Sequence, residues 1–474
     1  MNRIFKVAAA CCAMVVLTGG CASIGRGPLV EAKVARTYGG GESSANQPVD
    51  DLLLAMDVAG PRREADEWWK AFGDERLNRL VAKVRMTNGD LASAALRIQR
   101  ARASAERTGA DLWPRVDGSV DASAGRALEA DAVTSQSYRA SLGVGWELDL
   151  WGKLRAQRDA AQWEANATQE DHDAVALSLV SETIGLYWTL AFLNQRLIAG
   201  EESLSRTERT LALVRVQFGA GAVSRVELSE AVQSTLSQRE SQLELEQQRV
   251  EVRNALTLLL DGTPWPTDDE PQTIFAQVSP PVVSGLPAEL LGRRPDLRAA
   301  ELRLRKARAG IDIARTSYYP TLSLTGSAGT SSTALEDLLV NPVASLGAGI
   351  ALPFLGWNEM KFEAETARID YGIAVNDFRK ALYTAFSEVD NALAQKAGFD
   401  EQVALAEESL AVAKTIERLY EARYRAGSVA LRVWLEAQQV RRDAELSVAQ
   451  LRLEQLTNDV TLVMALGGTG VGNG

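Results

Sequence analysis

The sequence is short of histidine and cysteine, and each shortage narrows what the chain can do. There is one histidine, His172, in 474 residues. Histidine-based acid–base chemistry and His-rich metal sites therefore lack their usual groups. All three cysteines, Cys11, Cys12 and Cys21, fall in the first 21 residues, so the rest of the chain forms no disulfide and no thiolate metal site. No block of Lys or Arg stands out, and 51 basic against 62 acidic residues give a formal charge of -11, which argues against a nucleic-acid partner. The only long apolar run, residues 7–17, falls short of the roughly 20 residues of a membrane-spanning helix. Hydrophobic residues still make up 46% of the chain, which excludes disorder and is enough to bury a core.

The cysteines also give an address. Arg3 and Lys6 precede the apolar run, and Gly19 and Gly20 stand directly before Cys21, the three parts of a secretory signal over residues 1–20. A cysteine after Gly-Gly resembles a bacterial lipobox, so Cys21 is the expected lipidation site of an outer-membrane lipoprotein. Thr18 stands where such boxes usually carry Leu, and no Asp follows the cysteine. Losing Arg3 and Lys6 with the signal takes the formal charge from -11 to -13.

The chain matches itself at an offset of 206 residues, without a gap, over residues 88–262. Pro114 meets Pro320, Trp151 meets Trp357, Gly221 meets Gly427, and the string EESL at 201–204 recurs at 407–410. Prolines, tryptophans and glycines in register indicate a tandem repeat. The expected layout is a lead over 21–87, repeat 1 over 88–262, a Pro-rich linker over 263–293, repeat 2 over 294–468 and a tail over 469–474.

Proline is absent from residues 115–263 and after Pro353. These stretches, rich in Ala, Leu, Glu, Gln and Arg, predict helices over residues 90–112, 153–218 and 223–260, then 296–317, 359–425 and 429–466. The two shorter helices of each repeat are expected to stack end to end beside the long one. Val226, Ala231, Thr235 and Leu236 give the third helix a narrow apolar stripe, nearer a coiled-coil seam than a globular face.

Between the first and second helices of each repeat lie two alternating segments: 115–125 and 138–148, then 321–329 and 344–354. Their length, 9 to 11 residues, suits a tilted transmembrane strand. Trp113 and Trp151 flank one hairpin and Tyr318, Tyr319 and Trp357 the other, as in an aromatic belt at a membrane face. Four strands cannot close a barrel, and an open edge in lipid leaves backbone groups unpaired. Strands that span a membrane must then be shared among chains; three chains give twelve. The predicted fold class is mainly α with a small membrane β part: a trimeric 12-stranded β-barrel continued by an α-helical barrel.

Several stretches resemble the outer-membrane efflux proteins of the TolC and OprM (NodT) type. They are LLGRRPDLRAAELRL at 290–304, ARTSYYPTLSLTG at 314–326, WELDLWGKLR at 146–155 and EWWKAFGDERLNRL at 67–80. The turns from Phe218 to Gly221 and from Tyr424 to Gly427 match the family's periplasmic tips. The resemblance implies a homotrimer in outer-membrane lipid, an adaptor (membrane fusion) protein, an inner-membrane pump of the resistance-nodulation-division type, and export of drugs or other small molecules. It places adaptor-facing tips at Phe218, Gly221, Val223, Tyr424, Gly427 and Val429. It places a periplasmic gate near Val433 and Glu436, with Glu230 the repeat-equivalent of Glu436. Val433 stands where that pattern has a second acidic residue.

No enzyme is expected, and no cofactor or metal. The Gly-Ala-Gly triplets at 219–221 and 347–349 lack the strand, GxGxxG and helix of a phosphate loop. His172 among Glu170, Asp171 and Asp173 reads as a helix-surface residue. The rival reading is a structural coiled-coil envelope lipoprotein without transport activity.

Overall fold

Helix starts are set by side chains that accept the first unpaired N–H groups. In the computed structural model, Asp74 caps α1 (Glu75–Thr87), accepting from Arg76 N at 2.8 Å and Leu77 N at 3.3 Å. Asn88 does the same for α2 (Gly89–Ala110). The Asp149 carboxylate meets Leu154 N at 3.0 Å and Arg155 N at 3.1 Å at the start of α3 (Lys153–Gly219). Burial alone would raise the Asp149 pKa, but Arg155 and these two N–H groups outweigh it and hold it below the ordinary value. Ser224 and Glu227 form a capping box on α4 (Arg225–Leu259). Pro295 opens α5 (Pro295–Thr316), where its missing N–H costs nothing. The last helices are α6 (Trp357–Arg425) and α7 (Leu431–Ala465).

The structure describes residues 67–126, 128, 134–274 and 290–468, together with the backbone of two short paired strands, β1 (Glu31–Ala35) and β2 (Ser44–Pro48). The expected signal, Cys21 and the tail lie outside the described residues, as do parts of the expected lead and linker.

The order helix, two strands, long helix, helix occurs twice. The long helices have 67 and 69 residues, about 100 Å each at 1.5 Å per residue. Beside them stand 22-residue helices (α2, α5) and 35-residue helices (α4, α7). α3 packs on α2 and α4, α6 packs on α5 and α7, and α3 also packs on α5 and α7. The short helices meet end to end. Asn88 Nδ2, at the start of α2, donates to the Leu259 carbonyl of α4 at 3.1 Å. Arg294, at the start of α5, donates to the Ala465 carbonyl of α7 at 3.2 Å.

The strands β3 (Arg115–Gly125), β4 (Ser135–Leu148), β5 (Thr321–Ser332) and β6 (Val343–Ala351) form one antiparallel sheet in that order. Arg115 pairs with Gly145 and Thr321 with Ala351, so both hairpins share one register once the 206-residue offset is applied.

The largest core lies where α1, α3, α4 and α7 converge. Trp68, Trp69, Phe72 and Trp188 pack there edge to face, with Phe72 and Trp188 ring centres 4.9 Å apart. A second core joins Leu297 and Leu304 of α5 to Phe378, Leu382 and Val389 of α6.

The helices match expectation to within two residues at each end, and three other expectations need correction. The apolar run at 7–17 is not alone: α3 holds a window apolar enough to cross a bilayer, but half of it is buried in the main core. The stripe read on α4 splits: Ala231 and Thr235 are buried, whereas Val226 and Leu236 are exposed on another face. The stretch at 67–80, which the resemblance implies is the family's opening helix, does not form one helix, because Gly73, at φ 67°, separates a 3-10 turn from α1.

Candidate functional site

Strand alternation gives the sheet two unlike faces. One face carries Val116 and Val120 of β3, Leu142, Val144 and Trp146 of β4, Leu322 and Leu324 of β5, and Leu346 and Ile350 of β6, on matching register positions. The other carries Asp117, Ser119, Asp121, Arg139, Ser141, Ser323, Thr325, Ser327 and Ser345. Ser119 bonds Ser141 at 3.0 Å, and Ser327 bonds Ser345 at 2.7 Å. An apolar face backed by a hydroxyl-rich one is the chemistry of a barrel wall with lipid outside and water inside. The edges, β3 and β6, pair with no other described strand.

The aromatics flanking the sheet take different places. Trp113 is 75% exposed and Trp357 64%. Trp151 donates its Nε1–H to the Pro320 carbonyl at 2.7 Å, and its ring meets Tyr319 edge-on at 5.3 Å. Tyr318 is instead buried and hydrogen-bonded to Glu363, so its ring does not face lipid. Trp146, not assigned to the belt from sequence, holds the Leu112 carbonyl at 3.0 Å from the apolar face.

At the far end of the long helices the two turns come side by side. Gly221 (φ 73°) and Gly427 (φ 71°) take the left-handed conformation that a side chain resists. Ala222 N closes on the Gln217 carbonyl at 2.8 Å and Ser428 N on the Arg423 carbonyl at 2.9 Å, the same turn twice. Leu211, Val214 and Ala231 of the first hairpin pack with Leu431 and Trp434 of the second, and Val223 and Tyr424 pack against them. The Tyr424 ring stacks on Trp434 at 5.2 Å, and its hydroxyl donates to Gln217 Oε1 at 2.9 Å. Phe218 is exposed at the rim, and Val429 is half-buried.

Of the three gate candidates, Glu230 and Val433 are half-buried and Glu436 is exposed. The Glu436 carboxylate lies 2.9 Å from Arg432 Nε, one turn earlier on α7. Farther from the tips the hairpins part around a cavity of about 800 Å³. Arg441, buried on its wall, pairs with Glu417 at 2.5 Å and also with Glu445. Burial, and then the charge of Arg441, pull the Arg442 guanidinium below the usual arginine range.

Residues 80–262 and again 286–468 match the family model described as outer membrane efflux protein. The chain belongs to that family. It is 31% identical over 412 residues to the pyoverdine export outer membrane protein OpmQ of Pseudomonas putida, covering 85% of this chain and 87% of that one. It is 30% identical over 462 residues to the toluene efflux pump outer membrane protein TtgC of Pseudomonas putida, covering 95% and 93%. Its fold superposes on the open-state MtrE outer membrane channel of Neisseria gonorrhoeae with a TM-score of 0.75 at 28% identity, covering 84% and 89%. The chain is an outer-membrane efflux channel.

Several residues that organise this efflux channel were not singled out from sequence: Trp434, Gln217, Arg441 and Trp146. Trp434 alone carried a signal. It is the one tryptophan among the polar helices after the second turn, and a large aromatic there implies a tertiary pocket.

Proposed function

We propose that three copies of this chain close into one tube, a twelve-stranded barrel in the outer membrane continued by a helical barrel in the periplasm. The observation that carries the reading is the pair of unpartnered flanks. Across one chain the lower columns run α4, α3, α7, α6, so α4 and α6 are outermost. On α4, Leu236, Leu243 and Val250 are exposed seven residues apart; on α6, Leu405, Val412 and Leu419 are exposed at the same spacing. A heptad stripe is a coiled-coil seam awaiting a partner helix. The open strand edges β3 and β6 ask for the same closure.

The tips at Phe218, Gly221, Val223, Tyr424, Gly427 and Val429 face the periplasmic adaptor, which links the channel to an inner-membrane pump of the resistance-nodulation-division type. The cargo is small organic molecules, as the names of OpmQ and TtgC indicate for those relatives. Glu436, with Val433 and Glu230, lies nine residues or fewer past the turn glycines, within about 13 Å of rise, and rings the narrow end. Cys21 carries the lipid anchor, and the chain arose by tandem duplication.

The deciding experiment is ion conductance of the detergent-extracted oligomer in a planar bilayer, with its mass measured alongside. A trimer that conducts is expected. A non-conducting rod would return the reading to a structural envelope lipoprotein.

A further inference from the structure

The cavity between the two hairpins carries more positive than negative charge, and two of its cations lack an acid. Its wall is built from α3, α4, α6 and α7 around about 800 Å³, within the range of pockets that hold small organic molecules. Six cations and four carboxylates line it. Each of these carboxylates is engaged: Glu202 with Arg206 at 3.3 Å, Glu407 with Arg452, Glu445 with Arg441 and Lys414, and Asp443 with the Gln439 amide at 2.7 Å. That leaves Arg196 of α3 and Arg442 of α7, neither of which has an ion pair among the described residues. Glu244 acts on Arg196, and Asp443, Glu417 and Glu445 act on Arg442, only from beyond ion-pair distance.

Both guanidinia are half-buried. Burial pulls each below the usual arginine range despite those acids, and the charge of Arg441 adds to the effect at Arg442. Their remaining contacts are weaker than an ion pair. Arg196 lies over the Phe192 ring at 5.3 Å, and Arg442 donates to Gln439 Oε1 at 2.6 Å. A partly desolvated cation without a counter-ion is unfavourable, and an anion entering the cavity offsets that at both residues. Neither cation belongs to the shared plan of the repeats. At the 206-residue offset, Gln402 stands in the place of Arg196 and Leu236 in the place of Arg442. The same helical frame is therefore built once in this chain without either cation.

We propose that the cavity binds a small organic anion, with its carboxylate or phosphate held between Arg196 and Arg442. A planar guanidinium presents parallel N–H donors that match such a head group, and one from each hairpin fixes it from both sides. Leu410 of α6 and Leu446 of α7 line the same cavity and give an apolar body a surface to lie on. Ser234, Ser237 and Ser241 of α4 add hydroxyl donors on the first hairpin's wall. The cavity lies within a single chain, so the site does not depend on the assembly proposed above.

The test is equilibrium dialysis of the detergent-purified full chain, with the same detergent on both sides, against 2-naphthyl phosphate, 2-naphthoate, 2-naphthol and inorganic phosphate. The two naphthyl anions should bind, and the neutral naphthol and the bare phosphate should bind far more weakly. Arg196→Gln and Arg442→Leu install the residues that the other repeat carries, so the frame should keep its helix content. Each should weaken binding of the naphthyl anions by at least about tenfold. Arg206→Gln removes a cation of the same wall that is already paired, and should change binding by less than about twofold. A second measurement needs no variant: an arginine-selective dicarbonyl should modify Arg196 and Arg442 in the unaltered chain, and 2-naphthyl phosphate should slow modification of those two peptides alone. Naphthol binding as tightly as the anions would make the cavity an apolar cleft and overturn the site. Inorganic phosphate binding as tightly as naphthyl phosphate would overturn the organic body. Equal losses in Arg206→Gln, no loss in Arg196→Gln or Arg442→Leu, or modification rates that the probe leaves unchanged would overturn the assignment to these two residues.

Discussion

At the first tip, Ser224 and Glu227 cap each other's backbone: Glu227 N reaches Ser224 Oγ at 3.3 Å and Ser224 N reaches Glu227 Oε2 at 2.7 Å. At the second tip, Ala430 and Val433 occupy the same places, and the start of α7 has no side-chain cap. The turns between the helices are otherwise alike, closed by the same backbone bonds on glycines of the same φ. What replaces the missing cap is tertiary. Leu431 and Trp434 are buried, Tyr424 stacks on Trp434, and the Tyr424 hydroxyl reaches across to Gln217 on the first hairpin. The first tip holds its shape by local bonds, whereas the second holds it by leaning on the first. The chain therefore has one hairpin able to stand alone and one whose order depends on contact.

Four variants test that contrast, in descending size. Trp434→Ala removes the buried ring that stands in for a cap; core Trp→Ala changes cost about 3–5 kcal/mol. Limited trypsin digestion should then cut at Arg423 or Arg425 while leaving Arg225 protected, and equal cutting at both tips would erase the distinction. Ser224→Ala removes the first tip's cap at a cost of about 1 kcal/mol; amide exchange should quicken over the first turn of α4 and stay unchanged in α7. The reciprocal change, Ala430→Ser with Val433→Gln, builds a box where none exists and should slow exchange at the start of α7 by a similar margin. Tyr424→Phe deletes only the bond to Gln217, worth about 0.5–1.5 kcal/mol, and should raise trypsin sensitivity at the second tip slightly with no effect at the first.

The gate candidates sit on the same contrast. Glu436 shares its charge with Arg432 one turn away; the position matching Arg432 on the first hairpin is Val226, so the first hairpin has no such cation there. Glu436→Gln leaves the Arg432 cation uncompensated, so it is expected to reduce cation preference in single-channel recordings more than Glu230→Gln, which exposes no such cation. Equal recordings from the two variants would detach the gate from the second hairpin.

Features carried by backbone chemistry were legible in the sequence. Prolines bounded the helices, Gly221 and Gly427 marked the reversals, and the 206-residue offset anticipated two matching hairpins. Alternation of Leu and Val with Ser and Gly was enough to place the strands, because each residue type faces its own solvent. Contacts between distant segments were not legible. Tyr424 meets Gln217 across 207 residues of chain, and Arg441 meets Glu417 across a helix pair, so no spacing rule advertises either. The apolar stripe of α4 misled for a related reason: the helix has two apolar faces, one buried at Ala231 and Thr235 and one exposed at Leu236. The sequence alone does not say which face meets its own chain. Tyr318 flanks the second hairpin in the sequence as Tyr319 does, but successive residues at a helix end point in different directions, and its own side chain points to Glu363.

The end-to-end joints between the short helices have a mechanical consequence. Each chain contributes two continuous struts, α3 and α6, and two spliced ones, α2 with α4 and α5 with α7. Stretching such a wall loads the unbroken helices, whose hydrogen bonds run in series along the axis. Twisting instead concentrates strain at the splices, where one hydrogen bond bridges two helices. The splices differ in strength. Asn88 grips Leu259 with a single neutral amide, while Arg294 grips Ala465 and is itself clamped by Asp296 at 2.7 Å and Glu388 at 2.6 Å. Torque applied at the tips should therefore unwind the bundle first at the α2–α4 splice, so that each chain yields on one of its four columns rather than evenly across them.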